Sequence, residues 1–141
     1  MSANLSAPKI DDLAQLQALP QRDQIDAVSA GLSAHLAREL ARLLQVTMDD
    51  LAGLLRLNPR TLQRRLETGV LELSESERLW ALSRLFYRAA EVLESEAAAV
   101  HWFKNPVPAL GWATPLAYAR TVVGLRELEN ILGRIEHGVY S

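Results

Sequence analysis

Asp49-Asp50-Leu51-Ala52-Gly53-Leu54-Leu55-Arg56-Leu57-Asn58-Pro59-Arg60-Thr61-Leu62-Gln63-Arg64-Arg65-Leu66 reads as two short helices with a break between them. Thr47, just ahead of the stretch, is a good helix N-cap, and Asp50 three positions on makes a capping-box variant with Asp for Glu. Leu51, Leu54 and Leu55 predict the buried face of the first helix. Asn58-Pro59 restarts the chain: Asn caps, and Pro takes the first helical position, where its missing N–H costs nothing. Leu62 and Leu66 then face inward, and Gly69 stops the second helix. Ala52 is small enough to let the two helices cross closely. The stretch fits a helix-turn-helix.

The second helix is expected to expose Arg60, Thr61, Gln63, Arg64, Arg65 and Thr68. These are side-chain types that reach bases and phosphates in the major groove: Arg to guanine, Gln to adenine, Thr to a phosphate or the thymine methyl. With Arg56 and Asn58 from the turn, the candidate DNA contacts are Arg56, Asn58, Arg60, Thr61, Gln63, Arg64 and Arg65. The run from Arg56 to Arg65 holds four arginines and no acid, in a chain whose net charge is −2. That balance argues against nucleic-acid binding by the whole surface, yet allows it through a local patch, because phosphate contacts act within about 8–10 Å. One feature departs from the usual pattern. Such turns often carry Gly, whereas Arg56 and Leu57 stand here. A basic solvated face on an ordinary helical hairpin is the alternative reading.

Outward from this hairpin the pattern stays helical. Residues 1–22 are weakly patterned, with Pro8 and Pro20, and read as a loose arm with at most a short helix near Asp12–Ala18. The helix-turn-helix region covers 23–72. It opens with a helix over Asp23–Ala30 closed by Gly31, then one capped by Ser33 with Leu36, Leu40, Leu43 and Leu44 inside. Ser74, with Glu77 three positions later, starts a long connecting helix that runs to about Glu94 within residues 73–95. Its apolar stripe, Leu79, Leu82, Leu85, Phe86, Ala89 and Leu93, is wide enough to meet more than one neighbour, or to form a self-complementary patch between two copies. In the remaining region, 96–141, Ser95 resets a short helix through Trp102, and a Pro- and Gly-rich loop runs from Asn105 to Ala113. Thr114-Pro115 opens another helix, which Gly124 interrupts; the last helix reaches about His137, with Gly138 beyond. No convincing run alternates as a strand does, so the fold class is all-α.

Composition narrows function further. A chain of 141 residues with 49% hydrophobic and 23% charged residues supports a packed core of one domain or two small interdependent ones. It has no cysteine, which excludes disulfides, cysteine-ligated zinc and thiol catalysis. No apolar stretch has the length of a membrane span and the start lacks a signal-peptide layout, so a cytoplasmic protein is expected. His35, His101 and His137 stand in no metal-ligand spacing. Glu91, Glu94 and Glu96 read as a solvated face, and there is no phosphate loop or nucleophile elbow. No enzyme, metal or cofactor is expected.

The C-terminal region carries a more specific signal. Trp102, Asn105-Pro106, Ala109-Leu110-Gly111, Thr114-Pro115-Leu116, Gly124, Arg134-Ile135 and His137-Gly138 follow one another in that order. In this respect the chain resembles the toxin-binding domain of the Xre/MbcA/ParS antitoxins, partners of RES-domain toxins. Its N-terminal part, with Ala30-Gly31-Leu32-Ser33 and Arg60-Thr61-Leu62-Gln63-Arg64-Arg65, resembles the Xre-like half of the same family. A departure stands at Trp112, where the family usually has a second Gly. The resemblance implies an antitoxin that blocks an NAD-consuming RES-domain toxin and represses its own operon. The partners implied are that toxin, operator DNA and a second copy of the chain, as two-fold half-sites commonly require. The toxin-binding residues implied are Trp102, Asn105, Pro106, Gly111, Trp112, Arg134, His137, Gly138, Val139, Tyr140 and Ser141. From the residues alone Trp102 and Trp112 read first as core, whereas an exposed Trp in such a loop would suit an interface hot spot. Val139, Tyr140 and Ser141 are expected to form a short tail whose carboxylate and ring imitate NAD in the toxin's pocket, with the loop from Asn105 to Trp112 bracing the rim. The alternative is that the last helix caps the entrance. A stand-alone helix-turn-helix repressor is the competing function.

Overall fold

Helix caps written into the sequence set most of the element boundaries. The computed structural model describes residues 10–138, and the described elements are helical apart from one isolated bridge between Ser33 and Val70. In chain order they are α1 (Leu13–Ala18), α2 (Gln21–Ala30), α3 (His35–Leu44), α4 (Met48–Leu54), α5 (Pro59–Thr68), α6 (Leu73–Leu93), α7 (Glu96–Lys104), α8 (Pro115–Tyr118) and α9 (Val122–Glu136). Thr47, Asn58, Ser95 and Thr114 cap α4, α5, α7 and α8, each accepting a backbone N–H of the first turn. The chain is all-α, with a helix-turn-helix in its N-terminal part followed by a smaller helical region. No helix among the described residues is long and apolar enough to cross a membrane.

Helix α6 is the axis of the fold rather than a connector. Leu79, Leu82, Leu85, Phe86 and Ala89 are buried against α1, α2 and α3 on one side and α7 and α9 on the other. Phe86 stacks on Phe103 of α7 at 6.4 Å, joining both halves in one core. The apolar stripe of α6 is therefore consumed within the chain. The expectation that it offers a patch to a second copy is overturned.

Three further expectations are corrected. From Ile10 onward the N-terminal segment is not loose: Leu13 and Leu16 are fully buried, Leu13 N–H donates to Glu39 Oε1 at 2.8 Å, and Gln17 Nε2 donates to Ser83 Oγ at 2.9 Å. Ser33 does not cap α3. The bridge from Ser33 to Val70 and the bond from Ala34 N–H to the Gly69 carbonyl at 2.9 Å engage this segment with the 69–70 link, and the helix begins after Ala34 instead. Helix α6 starts two residues ahead of the position that a Ser74 cap implies. Its N-cap is Glu72, because Glu75 reaches back to the Glu72 N–H at 3.0 Å.

Candidate nucleic-acid and partner interfaces

The hairpin α4–α5 places its side chains by cap and turn. Leu51, Leu54, Leu55 and Leu62 are buried, so the opposite face of α5 looks outward. The turn between the helices is closed by a residue in the left-handed region: Arg56 has φ 62°, where glycine is the ordinary choice. The Leu57 N–H donates back to the Ala52 carbonyl at 2.8 Å, so the missing Gly does not open the turn.

The candidate DNA contacts do not share one environment. Arg60, Gln63 and Arg64 are exposed at helical spacing on one face of α5. Arg64 Nη2 lies 3.3 Å from Thr61 Oγ1, a contact that steadies the guanidinium while leaving it in solvent; Thr61 itself is half-buried. Asn58 is engaged in the cap, accepting the Arg60 N–H at 2.7 Å. Arg56 extends away from the stripe, its Nη1 3.4 Å from the Arg120 carbonyl.

Arg65 is a different case. Its side chain is only 21% exposed and forms a bidentate pair with the buried carboxylate of Glu75, at 2.9 and 3.0 Å, with Glu72 beside it at 3.4 Å. The hydrogen bond that it donates to Glu75 raises the Arg65 pKa above its ordinary value. The expectation that the second helix exposes Arg65 is overturned. It lies three residues after Leu62, on the inward edge of α5, and ties that helix to α6.

In the C-terminal region the 107–113 segment hydrogen-bonds within itself. Val107 N–H donates to the Ala113 carbonyl and Trp112 N–H to the Val107 carbonyl, both at 3.0 Å, around a 3-10 turn over Pro108–Leu110. Leu110 anchors the loop in the core. Gly111 and Trp112 both have positive φ, 64° and 70°. That accounts for a glycine preference at position 112 and shows what this chain does instead: it holds an indole outward at 69% exposure. Trp102 is half-buried, edge-on to Phe103 at 5.1 Å. The two tryptophans therefore take different roles, one packed and one presented. Asn105 closes α7, its Nδ2 donating to the His101 carbonyl at 2.7 Å, and Pro106 is exposed.

Arg134 and His137 lie elsewhere, along a shallow groove formed with Glu129, Asn130 and Gly133 of α9, and no loop residue lines it. Arg134 stands 3.6 Å from Glu127. Gly138 follows with φ 71°. Val139, Tyr140 and Ser141, assigned to the tail, lie outside the described residues. Gly124 does not interrupt a helix. It sits in the first turn of α9, where Thr121 Oγ1 accepts its N–H at 2.9 Å, and a Cβ there would collide with the Tyr118 carbonyl. Glycine lets α9 start against the end of α8.

Sequence reading missed the joint between these regions. Arg78 of α6 donates from Nε to the Leu54 carbonyl at 2.9 Å and from Nη2 to the Ala119 and Arg120 carbonyls at 3.1 and 3.3 Å. One guanidinium thus closes the C-terminal ends of α4 and α8. Burial lowers the Arg78 pKa, and the nearby charge of Arg56 adds to this. Arg120 in turn lies over Gly53, where a Cβ would come within 3.1 Å of its Nη1. The signal available in sequence was slight: an arginine four residues before Leu82, on the edge of a buried stripe.

Comparison with known proteins agrees with this division. Residues 23–84 match the Antitoxin Xre-like helix-turn-helix domain, and residues 88–138 match the Antitoxin Xre/MbcA/ParS C-terminal toxin-binding domain. An antitoxin Xre of Photorhabdus laumondii is 32% identical over 74 residues, 52% of this chain and 50% of that protein. An antitoxin Xre of Yersinia enterocolitica is 25% identical over 119 residues, 83% of this chain and 80% of that protein. The chain thus spans half the length of one curated relative and four-fifths of the other. Neither matched domain is an enzymatic kind. With the two matches adjoining in this order over most of its length, the chain belongs to the Xre/MbcA/ParS antitoxin family.

Proposed function

We propose that this protein is the antitoxin of a toxin–antitoxin pair whose toxin is a RES-domain, NAD-consuming enzyme, and that it represses its own operon as a homodimer in the cytoplasm. The observation that carries the reading is Trp112, which a self-bonded loop holds out to solvent at a position where its backbone is strained. A large exposed indole has no value to the fold, and a strained residue persists where a binding task requires it. The exposed Arg60, Gln63 and Arg64 support the DNA-binding half of the proposal, with Asn58 and Thr61 positioning that helix and Arg56 beside its turn.

On this reading Trp112 and Gly111 meet the toxin, with Pro106 beside them and Trp102 and Asn105 bracing the loop from behind. Arg134, His137 and Gly138 form a second contact area that continues into Val139, Tyr140 and Ser141, which we assign to occlusion of the toxin's NAD pocket. The test is co-expression with the RES-domain product of the adjacent gene. A stable complex that no longer consumes NAD and retards operator DNA is expected. A protein that retards DNA but never retains the toxin would establish a stand-alone repressor instead.

A further inference from the structure

The inward stripe of α6 is buried, but the opposite face is not. Ile25 on α2, Leu73 at the start of α6 and Val122 at the start of α9 are 58%, 55% and 64% exposed. Two clefts run beside α6 among these residues. One, of about 300 Å³, lies between α2 and α6 with Trp80 in its wall. The other, of about 620 Å³, lies between α6 and α9 and includes Leu125. Glu77 and Ala81 line both, so the clefts are two parts of one surface that crosses α6.

The charges on this surface restrict its partner. Glu77 and Glu129 are negative, Arg78, Arg84 and Arg126 positive, and the Arg78 guanidinium is already spent on main-chain carbonyls. Arg84 and Glu129 stand 3.9 Å apart, whereas Glu77 and Arg126 have no ion-pair partner among the described residues. With acids set among the arginines, the patch lacks the single-sign charge that a phosphate backbone selects. A patch with unpaired charge of both signs around exposed apolar residues is instead suited to a copy of itself, because under a two-fold axis residue i meets j while j meets i.

We propose that a second copy of this chain docks on this surface, with Ala81 near the two-fold axis and Glu77 of each copy facing Arg126 of the other. The proposal rests on the dimeric reading given above and adds the location. No residue of α5 or of the 107–113 loop lines either cleft, so the surface is separate from both working surfaces.

Sedimentation of the full chain at micromolar concentration is expected to show a dimer. Leu73→Glu/Val122→Glu should raise its dissociation constant at least about a hundredfold, since it buries carboxylates in an apolar contact. Both positions are exposed first-turn sites, where Glu complements the helix dipole, so the helical circular dichroism should be retained. Because the chain has no cysteine, Ala81→Cys introduces a single thiol. A short bis-maleimide should cross-link it into a covalent dimer, and should not cross-link Ala97→Cys, an exposed position on α7. Glu77→Arg should weaken the dimer and Glu77→Arg/Arg126→Glu should restore it. A dimer that survives Leu73→Glu/Val122→Glu, or an Ala81→Cys protein that does not cross-link, overturns this surface and leaves the dimeric reading standing. A wild-type monomer, both free and on DNA, overturns both. A double variant that stays dimeric but releases the toxin assigns the surface to the toxin and overturns the proposal.

Discussion

Arg65 and Glu75 are locked together across the α5–α6 corner, Nε to Oε1 at 2.9 Å and Nη2 to Oε2 at 3.0 Å. Glu75 is 4% exposed, so its charge depends on that partner. Burial pushes the Glu75 carboxyl up, but the hydrogen bonds from Arg65 and the Glu72 N–H outweigh it and hold it below the ordinary carboxylate range. A depressed folded pKa contributes stability above the unfolded value, ~4.3, and loses it as pH falls through the folded value. Glu75→Gln should therefore cost about 1–3 kcal/mol at pH 7. Urea melts should show the gap to wild type constant down to about pH 5 and shrinking in stronger acid.

DNA binding should follow the exposed stripe alone. Arg60→Ala, Gln63→Ala and Arg64→Ala should each weaken operator binding by about 1–3 kcal/mol where a base is read, or lower the salt slope by about 1 where a phosphate is met. Their melting temperatures should match wild type. Arg65→Ala should instead lower the melting temperature. Mobility shifts at several salt concentrations, run beside thermal melts, separate the two behaviours.

At position 112 stability and binding should move in opposite directions. Trp112→Gly relieves a left-handed backbone at an L residue and should stabilise the free protein by up to about 1 kcal/mol. The same change removes the indole and should weaken the toxin complex by about 2–4 kcal/mol. Trp112→Ala should lose the binding without gaining the stability. Calorimetric titration with the toxin, paired with denaturant melts, checks both signs.

Gly124→Ala offers a control on the α8–α9 corner. Alanine ordinarily favours a helix over glycine by about 1 kcal/mol. Here its Cβ would run into the Tyr118 carbonyl, which is backbone and cannot swing aside. The variant should be destabilised by about 1–3 kcal/mol, read as a lowered melting temperature.

Local signals were legible in sequence and tertiary ones were not. The caps at Thr47, Asn58, Ser95 and Thr114 concern only neighbours within three residues, and the structure has each of them. The cap read at Ser33 failed because a distant partner, Val70, pairs with it, whereas at Ser74 a competing local box, Glu72 with Glu75, starts the helix earlier while Glu75 also holds the more distant Arg65. The basic run marked the right helix but could not show that Arg65 turns inward. Trp102 and Trp112 looked alike beside one loop, and only backbone conformation separates them. Arg78 leaves almost no trace in sequence, since its partners are main-chain carbonyls that any residue type supplies.

That arginine makes the two matched regions one thermodynamic unit. Cutting the chain between them would leave the Arg78 guanidinium without two of its three carbonyls and strip Phe103 from Phe86. Neither fragment would keep a complete core, so the halves should melt in a single cooperative transition rather than in two steps. A scanning calorimeter should see one peak whose calorimetric and van't Hoff enthalpies agree. Although the helix-turn-helix and the toxin-binding region are matched as separate modules, in this protein they stand or fall together.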